Sequence, residues 1–177
     1  ENAAEVIIDN AIDITDVDDI EMSGAEVVIG EGFTEGDILS LSDQNGITGI
    51  YDVDLGVLSI TGDASISDYI TALQSVSYHS TSDDPTILSS SRTIGWIVTD
   101  ADLYEVGYST SASVTSSIVI TPINDVPIMT AGGSSAYTEN AAEVIIDNAI
   151  DITDVDDIEM SGAEVVIGEG FTEGDIL

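Results

Sequence analysis

Short runs of alternating apolar and polar residues, broken by Gly, Asp and Ser, recur along the whole chain, and no amphipathic helix longer than about three turns can be drawn. The alternation predicts strands at Val6 to Thr15, Ala25 to Ile29, Ile38 to Ser42, Gly49 to Asp52, Val57 to Thr61, Ser75 to His79, Thr93 to Thr99 and Ala112 to Thr121. In the last of these Ala112, Val114, Ile118 and Ile120 share one face, and Ser113, Thr115, Ser117 and Thr121 lie opposite, the mark of a strand wet on one side. In Thr93 to Thr99 the inward set is Ile94, Trp96 and Val98, which places the single Trp in a core. Asp54-Leu55-Gly56 reads as a tight turn, so Asp52 and Asp54 are assigned to the turn and not to a ligand set. Over Asp68 to Val76 the period changes: Tyr69, Leu73 and Val76 fall on one helical face, with Ser67 or Asp68 as cap. Strands joined by one such crossover predict an all-β fold, a Greek-key antiparallel β-sandwich of two sheets with one short helical crossover.

The same pattern occurs twice. Glu1 to Leu39 reappears letter for letter as Glu139 to Leu177, an offset of 138 residues. A repeat of about 20 to 50 residues marks a solenoid whose units cannot fold alone, whereas a unit this long can bury its own core. Residues 1–124 are expected to form a nearly complete repeat lacking its first strand, and residues 125–177 a linker plus the truncated start of the next identical one. Pro122 and Pro127 flank Asn124-Asp125 and stiffen that linker, and Gly132-Gly133-Ser134-Ser135 is expected to loosen it again. The truncated segment lacks most of its sheet partners, so partial order and an exposed edge are expected there.

Charge narrows the function classes. Thirty-five acidic residues face one Arg and no Lys, for a formal charge of −34, yet 43% of the chain is apolar, which separates it from a disordered acidic tail. A phosphate-tracking surface needs several cationic contacts and only Arg92 could supply one, so nucleic-acid binding is excluded, and an anionic membrane would repel the chain. No apolar run is long enough for a membrane span, and no Cys is present for disulfides or zinc thiolates. Such an excess of negative charge calls for high salt or bound multivalent cations, which points to an extracellular setting.

Four acidic groupings stand out from the scattered ones. Asp16-Val17-Asp18-Asp19 ends one predicted strand and Asp100-Ala101-Asp102 ends the Trp96 strand; each offers two carboxylates at i and i+2 in a loop. Asn124-Asp125 lies in the linker, and Glu1-Asn2 with its copy Glu139-Asn140 precedes a strand. Carboxylates gathered within about 6 Å repel unless a hard cation joins them. Calcium suits such a set, because it takes six to eight oxygens from carboxylates, amides and backbone carbonyls, whereas magnesium demands an octahedron and keeps water.

These residues resemble the cadherin-like tandem repeats of large bacterial calcium-dependent surface and RTX-type adhesins. The resemblance is carried by Tyr137-Thr138-Glu139-Asn140, Asp16-Val17-Asp18, the stretch from Ser67 to Tyr78, Val98-Thr99-Asp100-Ala101-Asp102 and the linker from Thr121 to Pro127, together nearly a whole unit. It implies a calcium-binding sandwich with ions held where consecutive domains meet. One junction would then draw on Glu1 with Asp83 or Asp84, on Asn124 and Asp125, and on Asp154 and Asp156. Asp16, Asp18, Asp100 and Asp102 would form the corresponding half-site at the other end of the first unit, and Glu139 repeats the role of Glu1. The linker lacks the longer acidic run of animal cadherins, and Asp83-Asp84 matches their acidic element only loosely.

The resemblance implies an extender of a repetitive adhesin, exposed at a bacterial cell surface or secreted, supporting cell adhesion or biofilm formation, with neighbouring identical repeats and calcium as its partners. A carbohydrate- or protein-binding module of a secreted multidomain protein is the alternative, weakened by an aromatic content of 5%. No glycine-rich nonapeptide calcium repeat occurs; Gly30-Glu31-Gly32 with Gly36-Asp37 only echoes one, and no helix-loop-helix calcium loop is present. An enzyme is not expected: His79 alternates with Tyr78 at a strand end, and neither a Gly-x-Ser-x-Gly elbow nor a His-Glu-x-x-His helix occurs.

Overall fold

The computed structural model describes residues 3–101 and 109–177. The chain forms two compact units, Glu1–Ile123 and Asn124–Leu177.

The first unit is built around β2 (Glu21–Ile29), whose Ala25, Val27 and Ile29 point inward while Glu26 points out. A bulge between Met22 and Gly24 shifts the register, so Met22 is buried as well although its parity differs. β2 pairs on one side with β5 (Val57–Ser65) and on the other with β7 (Ser91–Asp100). The edges of this sheet are β4 (Thr48–Asp52) and β8 (Val114–Val119), giving the order β4-β5-β2-β7-β8. A second sheet has the order β1-β6-β3, formed by β1 (Val6–Ile7), β6 (Ser77–Ser80) and β3 (Asp37–Ser40). The pairings in both sheets are antiparallel, and neighbours distant in sequence lie side by side, as in an all-β sandwich. Ile94 and Trp96 from β7, Leu58 and Ile60 from β5, Leu39 from β3 and Tyr78 from β6 meet in one core.

The crossover between β5 and β6 is α1 (Ile66–Leu73). Its cap is Ser65, two or three residues before the expected ones: the Ser65 hydroxyl accepts the Asp68 amide at 3.2 Å, while the Asp68 carboxylate accepts from that hydroxyl at 2.6 Å. This reciprocal arrangement satisfies donors at the helix start. The face drawn from the sequence is the buried one: Tyr69, Leu73 and Val76 are all inaccessible.

Two strand expectations change. Within Val6 to Thr15 only Val6–Ile7 pairs with β6, because the Asp9 carboxylate takes the Ala11 amide at 2.9 Å and turns the chain. Ile8, Ile12 and Ile14 still pack on the core, and Gln74 donates to the Ile12 carbonyl at 2.8 Å. In β8, Ile118 is half-buried as expected, but Val114 is exposed at the outer corner of an edge strand. The Asp52 assignment stands: its carboxylate accepts from the Asp54 and Leu55 amides, and Gly56 closes the turn at φ 69°.

The second unit holds one antiparallel pair, β9 (Ile128–Thr130) with β10 (Asp151–Thr153). Its connection turns at 138–141, where Ala141 donates to the Thr138 carbonyl at 2.9 Å. Gly132 and Gly133 do not loosen this arm: both amides are bound by the Asp147 carboxylate, at 2.9 and 2.7 Å. Apolar side chains here, among them Val144, Val165 and Leu177, are exposed for want of an opposing sheet.

Candidate metal centre

The acidic loop after Ile14 folds on itself. Asp16 Oδ1 accepts the amides of Asp18 at 2.9 Å and Asp19 at 2.8 Å. These two backbone donors, that of Asp19 foremost, hold the Asp16 carboxyl below its ordinary value, so it carries its charge at neutral pH. Asp18 is exposed, and Asp19 is buried beneath the turn.

Asp100 reaches the same end of the sandwich by a different route. It closes β7, pairs across to Met22 at the bulge, and its carbonyl accepts from the Ser23 hydroxyl at 2.5 Å. Asp16 and Asp100 consequently line one cavity of about 220 Å³, together with Ile14, Met22, Val98 and Ser111. Sequence positions 84 residues apart are thus brought to a common opening by the pairing of β2 with β7. Asp102 and Glu1 lie outside the described residues. Asp84, a looser candidate, accepts the Thr86 amide at 3.1 Å in a turn of its own.

In the second unit the linker meets the copied acidic loop. Asp154 Oδ1 accepts the amides of Asp156 and Asp157, each at 3.0 Å, repeating the Asp16 turn. Asp156 Oδ2 accepts the Asp125 amide at 2.5 Å, and the Asn124 side-chain amide donates to the Asp125 carbonyl. Asn124, Asp125, Asp154 and Asp156 therefore form one local group, with Asp125, Asp154 and Asp156 half-buried. Glu139 is exposed in the turn at 138–141, between β9 and β10, away from that group along the arm. Among the described residues no three His, Asp or Glu side chains converge as a metal-holding group. The donor chemistry is nevertheless that of a hard cation: carboxylates, a side-chain amide and backbone carbonyls, with no His or Cys among the grouped residues.

The strongest polar cluster in the first unit was not singled out from the sequence. Asp37 and Arg92 are both buried, with Arg92 Nε 2.5 Å from Asp37 Oδ2 and Nη2 3.2 Å from Oδ1. The remaining guanidinium donors reach the carbonyls of Pro85 at 2.5 Å and Ser89 at 2.7 Å. The Tyr78 hydroxyl donates to Asp37 Oδ1 at 2.6 Å and the Thr34 amide to Oδ2 at 2.8 Å. Burial first, and then the bond to Asp37, push the Tyr78 phenol well above its ordinary value. Tyr51, which donates to the Asp37 carbonyl at 2.7 Å, is raised to about 12 by burial and by the Asp37 and Asp52 charges. Gly36 delivers Asp37 inward at φ 96°, where a Cβ would come within 2.8 Å of the Ser82 nitrogen. A signal was present in the alternation: Arg92 has the parity of Ile94 and Trp96, so the lone cation sits on the core face of β7. This cluster is a bolt between the two sheets, since Asp37 and Tyr78 belong to one and Arg92 to the other. Its guanidinium donors and carboxylate acceptors are engaged within the fold, as suits a group that ties the sheets together.

Among the described residues no helix is long and apolar enough to cross a membrane. Comparison with family models, with curated proteins and with solved structures finds no match for this chain.

Proposed function

We propose that the chain is a segment of a calcium-rigidified extender, built from cadherin-like units of a large repetitive bacterial adhesin that acts at the cell surface or after secretion. The observation that carries the reading is the unchanged recurrence of Glu1 to Leu39 at Glu139 to Leu177, with the Asp16 turn rebuilt around Asp154. A repeated sandwich with paired acids in its loops is suited to setting distance and stiffness. Calcium would be held by Asp16, Asp18, Asp100 and Asp102 at one end of a unit, and by Asn124, Asp125, Asp154 and Asp156 where the next begins. The Asp16 Oδ1 atom is committed to its own loop, which leaves Oδ2 to face an ion. Extracellular sites of this class bind calcium with Kd on the order of 10⁻⁴ to 10⁻³ M. A tenfold excess over Kd adds about 1.4 kcal/mol per site to the folded state.

The test is made on a chain whose second unit is completed by repeating residues 40–124 after Leu177. Chelation is expected to lower its melting temperature and shorten the particle in solution scattering, and Asp154→Asn with Asp156→Asn to abolish the change in dimensions and reduce the change in melting temperature, the site at Asp16 and Asp100 remaining. A completed chain whose melting point and dimensions ignore millimolar calcium would remove the proposal.

A further inference from the structure

We infer that Asn45 is a modification site: the folded unit converts it, without an enzyme, to Asp and isoaspartate, and the new carboxylate weakens the start of α1. Asn45-Gly46 is the one Asn-Gly pair in the sequence. The two residues form the tip of the turn that leads into β4, where Gln44 and Ile47 exchange both backbone bonds, at 3.0 and 2.7 Å. Both tip residues are exposed, and φ angles of 51° and 82° make this a type I′ turn. Among the described residues the Gly46 amide has no acceptor, and a Cβ placed on Gly46 would meet nothing within 4 Å.

Rotation of the peptide between Asn45 and Gly46 converts type I′ to type II′ while both bonds at the base of the turn stay closed. It sets ψ of Asn45 to about −120°, where the Gly46 nitrogen eclipses the Asn45 Cβ and comes within reach of Cγ. That nitrogen gives up its proton and bonds to Cγ. The Cγ–Nδ2 bond breaks, and ammonia leaves with the proton, closing a cyclic imide. Water then adds at Cγ to give Asp, or at the main-chain carbonyl carbon of Asn45 to give isoaspartate. Water enters, ammonia leaves, and nothing is oxidised or reduced.

The product faces a group that matters to the fold. Asn45 Nδ2 donates to Asp68 Oδ1 at 2.8 Å, and Asp68 Oδ2 accepts from the Ser65 hydroxyl that caps α1. Conversion replaces the donor with a carboxylate, so that two like charges meet at the helix start. Isoaspartate also adds a methylene to the main chain of a two-residue turn whose next residue, Ile47, is fully buried. The inference stands on turn geometry and does not depend on calcium.

Incubation of the 177-residue chain under native, mildly alkaline conditions, with mass-spectrometric mapping after digestion at acidic residues, tests it. Asn45 is expected to gain the mass of an amide-to-acid exchange at least tenfold faster than Asn10 and Asn148, both followed by Ala, with isoaspartate among the products. In the Asn45→Asp variant the amides of residues 69–73 should exchange with solvent at least threefold faster than in Asn45→Ser, which loses the same hydrogen bond without gaining charge. A rate at Asn45 no faster than at Asn10 and Asn148 would overturn the modification, and equal exchange in the two variants would overturn its effect on α1.

Discussion

Glu1 to Leu39 and Glu139 to Leu177 are one sequence in two settings, and they differ in what survives. The turns survive. Asp16 and Asp154 each gather the next two available amides at 2.8 to 3.0 Å. Asp9 and Asp147 bind Ala11 and Ala149 at 2.9 and 2.8 Å. Thr34 and Thr172 donate to Asp37 and Asp175, both at 2.8 Å. The long strand does not survive: Glu21–Ile29 becomes β2 between two partners, while 159–167 is in no strand. Val27 is 0% exposed and its copy Val165 68%, and Leu39 is 1% exposed against 61% for Leu177. A side chain that bonds to its own neighbouring backbone needs nothing else, whereas a strand needs another strand.

Substitutions made at paired positions of the two copies put that difference into energies, and Trp96, the single Trp, reports unfolding of the first unit alone. The largest contrast is expected at Asp37. Asp37→Ala leaves Arg92 buried without its counter-charge and should cost about 3–5 kcal/mol in denaturant unfolding followed at Trp96. Asp175→Ala, at the exposed copy, should change the stability of the second unit, followed by amide hydrogen exchange within residues 124–177, by less than about 0.5 kcal/mol. Equal effects would mean that the buried pair is not what distinguishes the copies.

Next in size is Met22→Ala, which opens a cavity beside the bulge and should cost about 2–5 kcal/mol. Met160, 42% exposed, should tolerate the same change within about 0.5 kcal/mol. A large loss at Met160 would show that the second unit packs more tightly than its hairpin implies.

The smallest effects belong to the turns, where the copies should agree. Asp9 is held below its ordinary value chiefly by the Ser116 hydroxyl, and Asp147 chiefly by the Gly132 amide. Carboxylates lowered in the folded chain bind fewer protons than in the unfolded one, so their stabilisation is complete above the unfolded value near 3.8 and is lost as pH falls through the lowered one. Carboxyl carbon shifts followed by NMR should place both midpoints below 3.8. A midpoint for Asp147 at its ordinary value would mean that the hairpin arm frays in solution.

Alternation and turn chemistry, read from sequence, locate most of the strands, the buried helix face at Tyr69, Leu73 and Val76, and the Asp52 turn. They overextend the strand at Val6, because the Asp9 turn competes with pairing over a distance that periodicity does not see. Of the acidic groups, the doublet at Asp16 and Asp18 is local and legible, while its approach to Asp100 depends on how β2 is laid against β7. The partnership of Asp37 with Arg92 is hidden for the same reason, 55 residues apart and on opposite sheets.

By itself the sequence determined what short-range chemistry can fix: the unit length, the sheet period, the helix cap region, and carboxylate turns that form in either setting. Tertiary structure alone decided which alternating segment became a paired strand, which carboxylate was buried against the only cation, and which acids share an opening. Those outcomes require surfaces distant in the chain to exclude water together, and residues 139–177 have the same letters without the opposing surfaces.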